Sequence, residues 1–275
     1  MRGNGSATVD RRLSSPIELA EAGVAFGGKV AVDRADFRLA AGDSVAVVGP
    51  NGSGKTTMLR LVAGLIEPTS GAVTRPGDAT FGYVSQHANH PAWLPLTVDD
   101  VIRMGRYGER GLLGRFTGAD KAIMAEAAAR LGVDDLMDQT YGALSGGQRQ
   151  RVRIAQALAV APNVLILDEP ITGLDLPSQQ VILDLIEDQA ARGTAVMITT
   201  HHLDEARHCH RVVLMAGRIV AQGPPGEVLR PENLRATFGE RLLGDHTGHD
   251  HAQDMMVVDD HGHHHGHDHG HGHAH

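Results

Sequence analysis

The chain of 275 residues has a single cysteine, Cys209, and lacks long hydrophobic runs. One cysteine excludes a disulfide framework within the chain and is consistent with a reducing compartment. No apolar stretch approaches the roughly 20 residues that span a bilayer, and residues 1–12 contain no apolar segment of a secretory signal. These absences predict a cytoplasmic protein without a membrane span of its own.

The sequence also lacks an excess of positive charge. Its formal net charge is −8, and the segment from Asp245 to the end contains six aspartates but no lysine or arginine. This tail carries −6 of the total, which leaves −2 for the rest of the chain. A balance of this sign does not favour nucleic-acid binding by bulk charge. We expect no nucleic-acid partner.

Hydrophobic residues, by contrast, make up 41% of the chain, which is enough for a sizeable core. Short, loosely alternating apolar segments over residues 17–40 predict a few antiparallel strands. Continuous apolar runs at 164–167 and 195–199 are typical of strands buried on both faces of a parallel sheet. Residues from about 88 to 160 indicate helices separated by loops. The pattern predicts an α/β core with a helical insertion.

A glycine-rich segment, residues 49–56, reads GPNGSGKT and fits the pattern G-x-x-x-x-G-K-[ST]. An apolar run precedes it and a helix-compatible stretch follows, which is the strand–loop–helix context that a phosphate-binding loop requires. Glycines let the loop turn its backbone N–H groups toward phosphate oxygens, and the helix dipole adds positive potential there. We expect Lys55 to reach the terminal phosphates and Thr56 to bind Mg²⁺. The segment predicts a nucleoside triphosphate site.

The apolar strand at 164–167 ends in two adjacent carboxylates, Asp168 and Glu169. In phosphate-loop enzymes, the acid at such a strand end holds magnesium, usually through water. A second acid beside it can act as a general base toward an attacking water. The pair therefore predicts the metal-binding and hydrolytic groups of the same site.

A second glycine-bearing motif, LSGGQ at 144–148, precedes a long predicted helix. Ser145 and Gln148 have the spacing of a capping box, so one interpretation is an ordinary helix start. However, Arg149, Arg151 and Arg153 follow in the first turns, where the helix dipole disfavours cations. We infer that an anion docks at this helix N-terminus or that acidic partners lie close to it.

With these motifs in one order, the chain resembles the ATP-binding subunits of ABC transporters over residues 17–234, approximately. LSGGQ matches the signature motif of that family, and LILDEP at 165–170 matches its second nucleotide motif. Gln86 lies where the family has its Q-loop glutamine, and His201 matches the switch histidine. The segment 173–175 matches the D-loop. The resemblance implies a P-loop NTPase (RecA-like) core with an N-terminal antiparallel β subdomain and an inserted α-helical subdomain.

The resemblance also implies a role for each matching residue. Glu169 is the expected general base, and His201 the residue that contacts the γ-phosphate. Phe26 replaces the family's usual tyrosine as the ring stacked on adenine, although a core phenylalanine is an alternative interpretation. Asp175 would help position the facing site across a dimer. Gln86 would join Thr56 and Asp168 around magnesium.

The complete set of implied nucleotide contacts is larger. The residues expected to bind ATP or its magnesium are Phe26, Gly49, Pro50, Asn51, Gly52, Ser53, Gly54, Lys55, Thr56, Thr57, Gln86, Ser145, Gly146, Gly147, Gln148, Asp168 and Asp175. Within this set, Ser145, Gly146 and Gly147 would contact ATP held by a second copy of the chain. We therefore expect an ATP-sandwich dimer.

Three kinds of partner follow from the resemblance. One is the second copy, and another is a separate integral-membrane permease, which would dock on the helical insertion. An extracellular or periplasmic metal-binding protein would act indirectly. The segment 95–108 resembles the corresponding stretch of zinc and manganese importer ATPases, and iron-chelate importers are similar there. The chain is expected to lie on the inner face of the cell membrane.

The C-terminal tail has a different composition, with twelve of the eighteen histidines among glycine and aspartate. Such a segment cannot form a packed core. Imidazole is a good zinc ligand, and the expected zinc-binding residues are His263, His264, His265, His267, His269, His271, His273 and His275. A tail added for purification and a tail without function are the alternatives. The predicted organisation is a disordered segment at 1–15, an ABC ATPase domain at 16–240 and a disordered His-rich tail at 241–275.

The sequence thus predicts an ATPase that powers uptake of a divalent metal, with zinc as the first choice. Two alternatives stay open. The cargo could be an iron chelate or another substrate. The protein could instead be a metal sensor or buffer that acts through its histidine-rich tail.

Overall fold

A computed structural model of the chain describes residues 12–86, 95–111 and 114–239. The tail histidines and most of the segment predicted to be disordered at the N-terminus lie outside the described residues. Ordered contacts begin slightly before the predicted boundary at residue 15. Leu13 is buried, and the Ser14 hydroxyl donates a hydrogen bond to Asp78 Oδ1 at 2.8 Å.

Two sheets carry the strands of the described chain. The strands are β1 (Ile17–Phe26), β2 (Lys29–Leu39), β3 (Ser44–Val48), β4 (Ser70–Thr74), β5 (Phe81–Val84), β6 (Val164–Asp168), β7 (Ala195–Thr200), β8 (Arg211–Met215) and β9 (Ile219–Gly223). An antiparallel sheet has the order β2-β1-β4, and the larger sheet has the order β5-β6-β7-β3-β8-β9. In the larger sheet, the neighbouring strands β5, β6, β7, β3 and β8 pair in parallel, and β9 is antiparallel to β8.

Helices connect these strands and form the insertion. They are α1 (Lys55–Val62), α2 (Val98–Met104), α3 (Tyr107–Arg110), α4 (Gly118–Arg130), α5 (Gly146–Ala159), α6 (Leu176–Ala191), α7 (Leu203–Arg207), α8 (Pro225–Val228) and α9 (Pro231–Phe238). Short 3₁₀ turns cover Asp134–Leu136 and Tyr141–Ala143. Helices α2 to α5 lie between β5 and β6 in the sequence, so the predicted α/β core with a helical insertion is confirmed. Among the described residues, no helix is long and apolar enough to cross a membrane.

Three helices of the insertion, α2, α4 and α5, begin with the same capping arrangement. In each of α2, α4 and α5, a serine or threonine N-cap accepts from the backbone N–H three residues on, and that residue's side chain accepts from the N-cap N–H. This reciprocal arrangement satisfies two backbone donors at a helix start. The pairs are Thr97 with Asp100, Thr117 with Asp120, and Ser145 with Gln148.

Residues of the large sheet pack into two apolar clusters, one on each face. Along β6, Leu165 and Leu167 belong to the cluster that packs with the inserted helices, whereas Val164 and Ile166 belong to the cluster under the antiparallel sheet. Because side chains alternate along a strand, a strand covered on both faces is apolar throughout. The two clusters hold β3, β6 and β7 side by side, and the parallel strands end at one edge of the sheet.

Candidate ATP site

The glycine-rich segment forms a loop between β3 and α1, as the sequence predicts. Gly54 is the N-cap of α1 with φ 95°, and a Cβ there would lie 2.2 Å from the carbonyl oxygen of Ala31. A Cβ at Gly49 would lie 2.2 Å from the carbonyl oxygen of Met215. Only glycine fits these two positions, because the loop backbone passes directly against β2 and β8. Pro50, Asn51, Gly52, Ser53 and Thr57 lie in this loop or in the first turn of α1.

The lysine of the loop is buried within it. Lys55 is 6% exposed, and its Nζ donates to the carbonyl oxygens of Gly49 at 2.7 Å and Pro50 at 3.1 Å. Helix α1 has a glycine N-cap and no acidic residue in its first turn. Backbone N–H groups, the positive end of the helix dipole and a lysine therefore converge at one place, and this donor set fits a polyphosphate.

The carboxylate predicted to hold magnesium lies next to the loop threonine. Asp168 is 3% exposed, and its Oδ2 accepts from the Thr56 hydroxyl at 2.9 Å. Its other oxygen accepts from the Thr199 hydroxyl at 2.6 Å. Hydroxyl and carboxylate oxygens suit Mg²⁺, which binds few protein ligands and keeps water or phosphate oxygens for the rest. The pair fits such an ion, and among the described residues no cluster of three metal-ligating side chains competes with it.

The neighbouring carboxylate, Glu169, lies where several polar groups meet. Its Oε2 accepts from Gln86 Nε2 at 2.9 Å and from the Thr172 hydroxyl at 3.3 Å, and it is 3.8 Å from His201 Nδ1. The Glu169 side chain is only 9% exposed. The structure therefore brings together Gln86, Glu169 and His201, three residues that the resemblance assigned to one site. Gln86 contacts Glu169 in this arrangement, whereas Thr56 contacts Asp168.

The signature motif forms the start of α5. Ser145 Oγ accepts from the Gln148 N–H at 3.2 Å, and the Gln148 side chain accepts from the Ser145 N–H at 2.9 Å. Gly146 is exposed, and a Cβ there would meet no atom within 4 Å. A Cβ at Gly147 would lie 3.2 Å from Asp175 Oδ1, so the signature and the D-loop are neighbours in one chain.

The arginines that follow the signature have partners other than those we inferred. Arg149 Nη1 donates to the Leu144 carbonyl oxygen, and Arg151 Nη1 donates to those of Leu131 and Gly132. Arg153 Nη2 donates to the carbonyl oxygen of Ser85. Each of the three arginines therefore has a hydrogen-bond acceptor within its own chain. The expectation that an anion docks at this helix rests only on the exposed serine and glycine.

Phe26 lies at the end of β1 and is 55% exposed. Its exposure excludes the alternative of a core phenylalanine. Residue Ala31 of the paired strand β2 abuts the phosphate loop at Gly54. The aromatic ring therefore belongs to a hairpin that contacts the loop.

Several residues of the site were not found from the sequence. Thr172, Thr199, Thr200 and Arg153 each hydrogen-bond a predicted site residue or its neighbour. For Thr199 and Thr200, the sequence contained a signal that could have found them. They end the apolar strand β7, which pairs with β6 so that Asp168 lies opposite Thr199. Polar residues at the end of a strand beside an acidic strand end are expected to share its site.

The strand–loop–helix with a buried lysine, a carboxylate pair at the end of β6 and a parallel sheet together define a P-loop nucleoside triphosphatase. Residues 32–172, just over half of the chain, match the family described as ABC transporter. The chain belongs to the ABC transporter family and is an ATP-hydrolysing member of it.

Relatives with known names are similar over most of the chain. The chelated iron transport system membrane protein YfeB of Yersinia pestis is 36% identical over 77% of this chain and 75% of its own length. The manganese transport system ATP-binding protein MntA of Synechocystis is 35% identical over 77% and 85%. The zinc import ATP-binding protein ZnuC of Pseudomonas entomophila is 33% identical over 87% and 91%.

Solved structures agree with this assignment. One described as an inward-facing conformation of a metal-chelate type ABC transporter has a TM-score of 0.73 and 28% identity, and it covers 82% of this chain and 88% of its own. The dimeric structure of MJ0796, a bacterial ABC transporter cassette, has a TM-score of 0.64 and 25% identity over 76% and 98%.

Proposed function

We propose that this chain is the ATP-hydrolysing subunit of an importer for a divalent metal, with zinc as the first choice. It would work as a head-to-tail dimer docked on a separate permease. The observation that carries the hydrolytic part is the position of Glu169, which is almost buried and within hydrogen-bond reach of Gln86 and Thr172. The observation that favours metal is the set of relatives, which are named for manganese, zinc and chelated iron.

In this proposal, Glu169 takes the proton of the water that attacks the terminal phosphate. A carboxylate held by neighbouring donors is oriented for such a transfer, and general-base catalysis contributes about 10²–10⁴-fold in rate. Lys55 and the loop amides would bind the phosphates, and Thr56 and Asp168 would hold magnesium, which would supply positive charge next to the phosphates. His201 lies close enough to Glu169 to contact the same phosphate.

The proposed site is complete only with a second copy. Ser145 and Gly146 are exposed at the start of α5, and Leu176, next to the D-loop, is 78% exposed. An exposed helix N-terminus and an exposed apolar side chain beside it suit a contact between copies. We propose that Ser145, Gly146, Gly147 and Gln148 of one chain bind the ATP of the other, with Asp175 at the interface.

The permease would dock on a groove between the sheet and the inserted helices. This groove has a volume of about 510 Å³ and lies between β5 and helices α2, α3 and α5. Its walls include Tyr83, Met104 and Gly108, which combine apolar and aromatic surface. Attachment there would place the chain in the cytoplasm on the inner face of the membrane.

Replacement of Glu169 tests the hydrolytic proposal. Glu169→Gln keeps an oxygen that accepts from Gln86 and Thr172 but cannot take a proton. We expect kcat for ATP to fall about a hundredfold or more, while ATP binding and the ATP-dependent dimer persist. Glu187→Gln, at an exposed glutamate of α6, is the control and should hydrolyse ATP as the unchanged chain does. Hydrolysis at a normal rate in Glu169→Gln would remove Glu169 from this role.

Growth under metal limitation tests the cargo. A strain that lacks this transporter should recover growth in zinc-poor medium with the unchanged chain but not with Glu169→Gln. Manganese-poor medium and medium with a chelated iron source serve as parallel conditions. Recovery confined to the chelated iron source would support the alternative cargo instead of zinc.

The histidine-rich tail carries the second candidate function, which is metal buffering or sensing. Its motivation is the sequence alone, in which three consecutive histidines, 263–265, are followed by histidines that alternate with glycine, aspartate and alanine up to His275. Overlapping sets of imidazoles on one chain would bind zinc loosely. Calorimetry with zinc should detect binding to the full chain that is lost when residues 245–275 are removed. Equal binding by both forms would reject this function.

A further inference from the structure

Two polar side chains of α5 face the Glu169 site and hydrogen-bond each other. Gln150 and Arg153 are three residues apart, so they lie on one face of the helix. Arg153 Nη1 donates to Gln150 Oε1 at 3.1 Å. Both side chains are half-buried, and both line a cavity of about 280 Å³ that also contains Gln86 and Glu169.

Each of these side chains also holds one backbone carbonyl next to a predicted site residue. Arg153 Nη2 donates to the carbonyl oxygen of Ser85, the residue before Gln86. Gln150 Nε2 donates to the carbonyl oxygen of Pro170 at 3.0 Å. Pro170 is the residue after Glu169.

These bonds close a ring with the contact between the site residues themselves. From Ser85 the chain leads to Gln86, whose side chain donates to Glu169 at 2.9 Å. From Glu169 the chain leads to Pro170, and the two α5 side chains connect Pro170 back to Ser85. The backbone on each side of the Gln86–Glu169 contact is therefore held by the same helix.

The chemistry of the two side chains suits this task. A guanidinium is planar, so its separate nitrogens can donate to two acceptors in fixed directions. A glutamine amide accepts with its oxygen and donates with its nitrogen, as Gln150 does here. Burial lowers the pKa of Arg153 from its ordinary value, but arginine stays charged at neutral pH.

Arg153 also lines the groove of about 510 Å³ to which we assign the permease. It is thus a shared wall of that groove and of the cavity that contains Glu169. A partner seated in the groove would contact the same guanidinium that holds Ser85.

We propose that Gln150 and Arg153 are positioning residues for ATP hydrolysis, which set the contact between Gln86 and Glu169 without touching the nucleotide. This inference rests on the role of Glu169 given under the proposed function. The pair acts through the backbone of Ser85 and Pro170, so it affects the hydrolytic step and not the binding of ATP.

Arg151 provides a matched control in the same helix. Its Nη1 donates to the carbonyl oxygens of Leu131 and Gly132, at the end of α4 and away from Glu169. Arg151→Met and Arg153→Met each remove one arginine that binds backbone carbonyls. We expect both to lower the thermal unfolding temperature, but only the second to slow hydrolysis.

The first measurement is steady-state ATP hydrolysis by the full chain. Arg153→Met and Gln150→Met should each lower kcat roughly ten- to hundredfold, the scale expected for a small misplacement of a reacting group, with KM for ATP unchanged. Arg151→Met should keep kcat. Arg153→Lys should recover part of kcat, because an ammonium can donate to one carbonyl but does not have the planar fork.

The second measurement is a double-mutant cycle with Gln86. If Arg153 acts through Gln86, then Arg153→Met should cause no further fall in kcat in a Gln86→Ala background. Additive losses in the cycle, equal losses in Arg151→Met and Arg153→Met, or a rise in KM with constant kcat would each overturn the inference. Loss of activity in Glu169→Gln together with a normal kcat in Arg153→Met would reject the positioning role and leave the proposed function intact.

Discussion

At the scale of single residues, the conformation of Glu169 depends on one threonine. Glu169 has φ 49°, in the left-handed region that non-glycine residues rarely occupy, and such a conformation costs about 1–3 kcal/mol. The Thr199 hydroxyl accepts from the Glu169 N–H at 2.8 Å and donates to Asp168 at 2.6 Å. One hydroxyl therefore contacts both the Asp168 carboxylate and the backbone of Glu169. The Glu169 side chain contacts Gln86, whereas the Asp168 side chain contacts Thr56.

The turn that carries His201 is held in a similar way. The Thr200 hydroxyl accepts from the His202 N–H at 2.9 Å and donates to Glu205 Oε2 at 2.5 Å. Burial raises the pKa of Glu205 above its ordinary value of 4.5, against the opposing effect of the Thr200 hydrogen bond. The Thr200 hydrogen bond thus holds Glu205 where burial disfavours its charged form, so the contribution of Glu205 to stability depends on pH.

We predict a pH-dependent gain of stability in Glu205→Gln. The folded chain keeps the Glu205 proton to a higher pH than the unfolded chain does, so the free energy of unfolding falls as pH rises from about 4.5 through the raised pKa. Glutamine still accepts from Thr200 and has no charge to bury. The free energy of unfolding of Glu205→Gln, relative to the unchanged chain, should therefore increase between pH 4.5 and pH 8 in denaturant titrations.

A control separates this effect from the loss of one negative charge. Glu67→Gln, at an exposed carboxylate, measures what the charge alone contributes across the same pH range. If the stability difference for Glu205→Gln does not change with pH after this subtraction, the buried carboxylate does not titrate as we expect.

At the scale of elements, one carboxylate at the start of α4 accepts several hydrogen bonds. Asp120 is fully buried, and it accepts from the Thr117 hydroxyl and N–H, from Arg110 and from Arg106. Arg106 is 1% exposed and also donates to the carbonyl oxygen of Ala159, the last residue of α5. One carboxylate therefore joins the start of α4 to α3 and to the end of α5.

We predict that Asp120→Asn lowers the unfolding temperature at neutral pH and that this deficit shrinks in acid. Hydrogen bonds from Thr117, with those from Arg110 and Arg106, hold the pKa of Asp120 well below its usual range. Stability from such a carboxylate is present above its ordinary pKa and is lost as pH falls toward the folded value. Circular dichroism melts from pH 7 to pH 2.5 measure the deficit.

The matching variant is Asp100→Asn in α2. Asp100 forms the same capping box with Thr97, but its contacts do not include a fully buried arginine. Its neutral-pH deficit should be smaller. Equal deficits for the two variants would show that the capping box alone, and not the buried arginine, determines the effect.

At the scale of the whole molecule, the exposed signature bears on the dimer that we propose. Ser145 and Gly146 are exposed at the start of α5. If the signature acts on the ATP of the other copy, each site combines Glu169 of one chain with Ser145 of the other. This arrangement can be tested by mixing two inactive variants.

We predict that a mixture of Ser145→Arg and Glu169→Gln regains ATP hydrolysis that neither variant has alone. A mixed dimer has one site with both defects and one site in which Glu169 and Ser145 are both unchanged. The expected result is activity that rises with the proportion of mixed dimers and is measured as phosphate release. If the signature acted on ATP within its own chain, mixing would restore nothing.

Some features could be predicted because they are local in sequence. The phosphate loop, the apolar strands and the capping boxes depend on residues a few positions apart, whose conformational preferences are expressed wherever the chain lies. The helical start at Ser145 and the strand ending in Asp168 were found on this basis, and both are confirmed. The carbonyl partners of Arg149 and Arg151 could not be found on this basis, because nothing local shows which carbonyl oxygen a long side chain will reach.

The sequence by itself thus determined the family, the ATPase fold and the order of the motifs, since these depend on contiguous patterns. Only the tertiary structure decided how the motifs meet. Gln86 and Glu169 are 83 residues apart, and Arg153 and Ser85 are 68 residues apart. Their hydrogen bonds exist because the register of β5, β6 and β7 and the packing of α5 place them side by side. Contacts between residues so far apart in the sequence depend on the packing of the whole core, and no short sequence pattern specifies that packing.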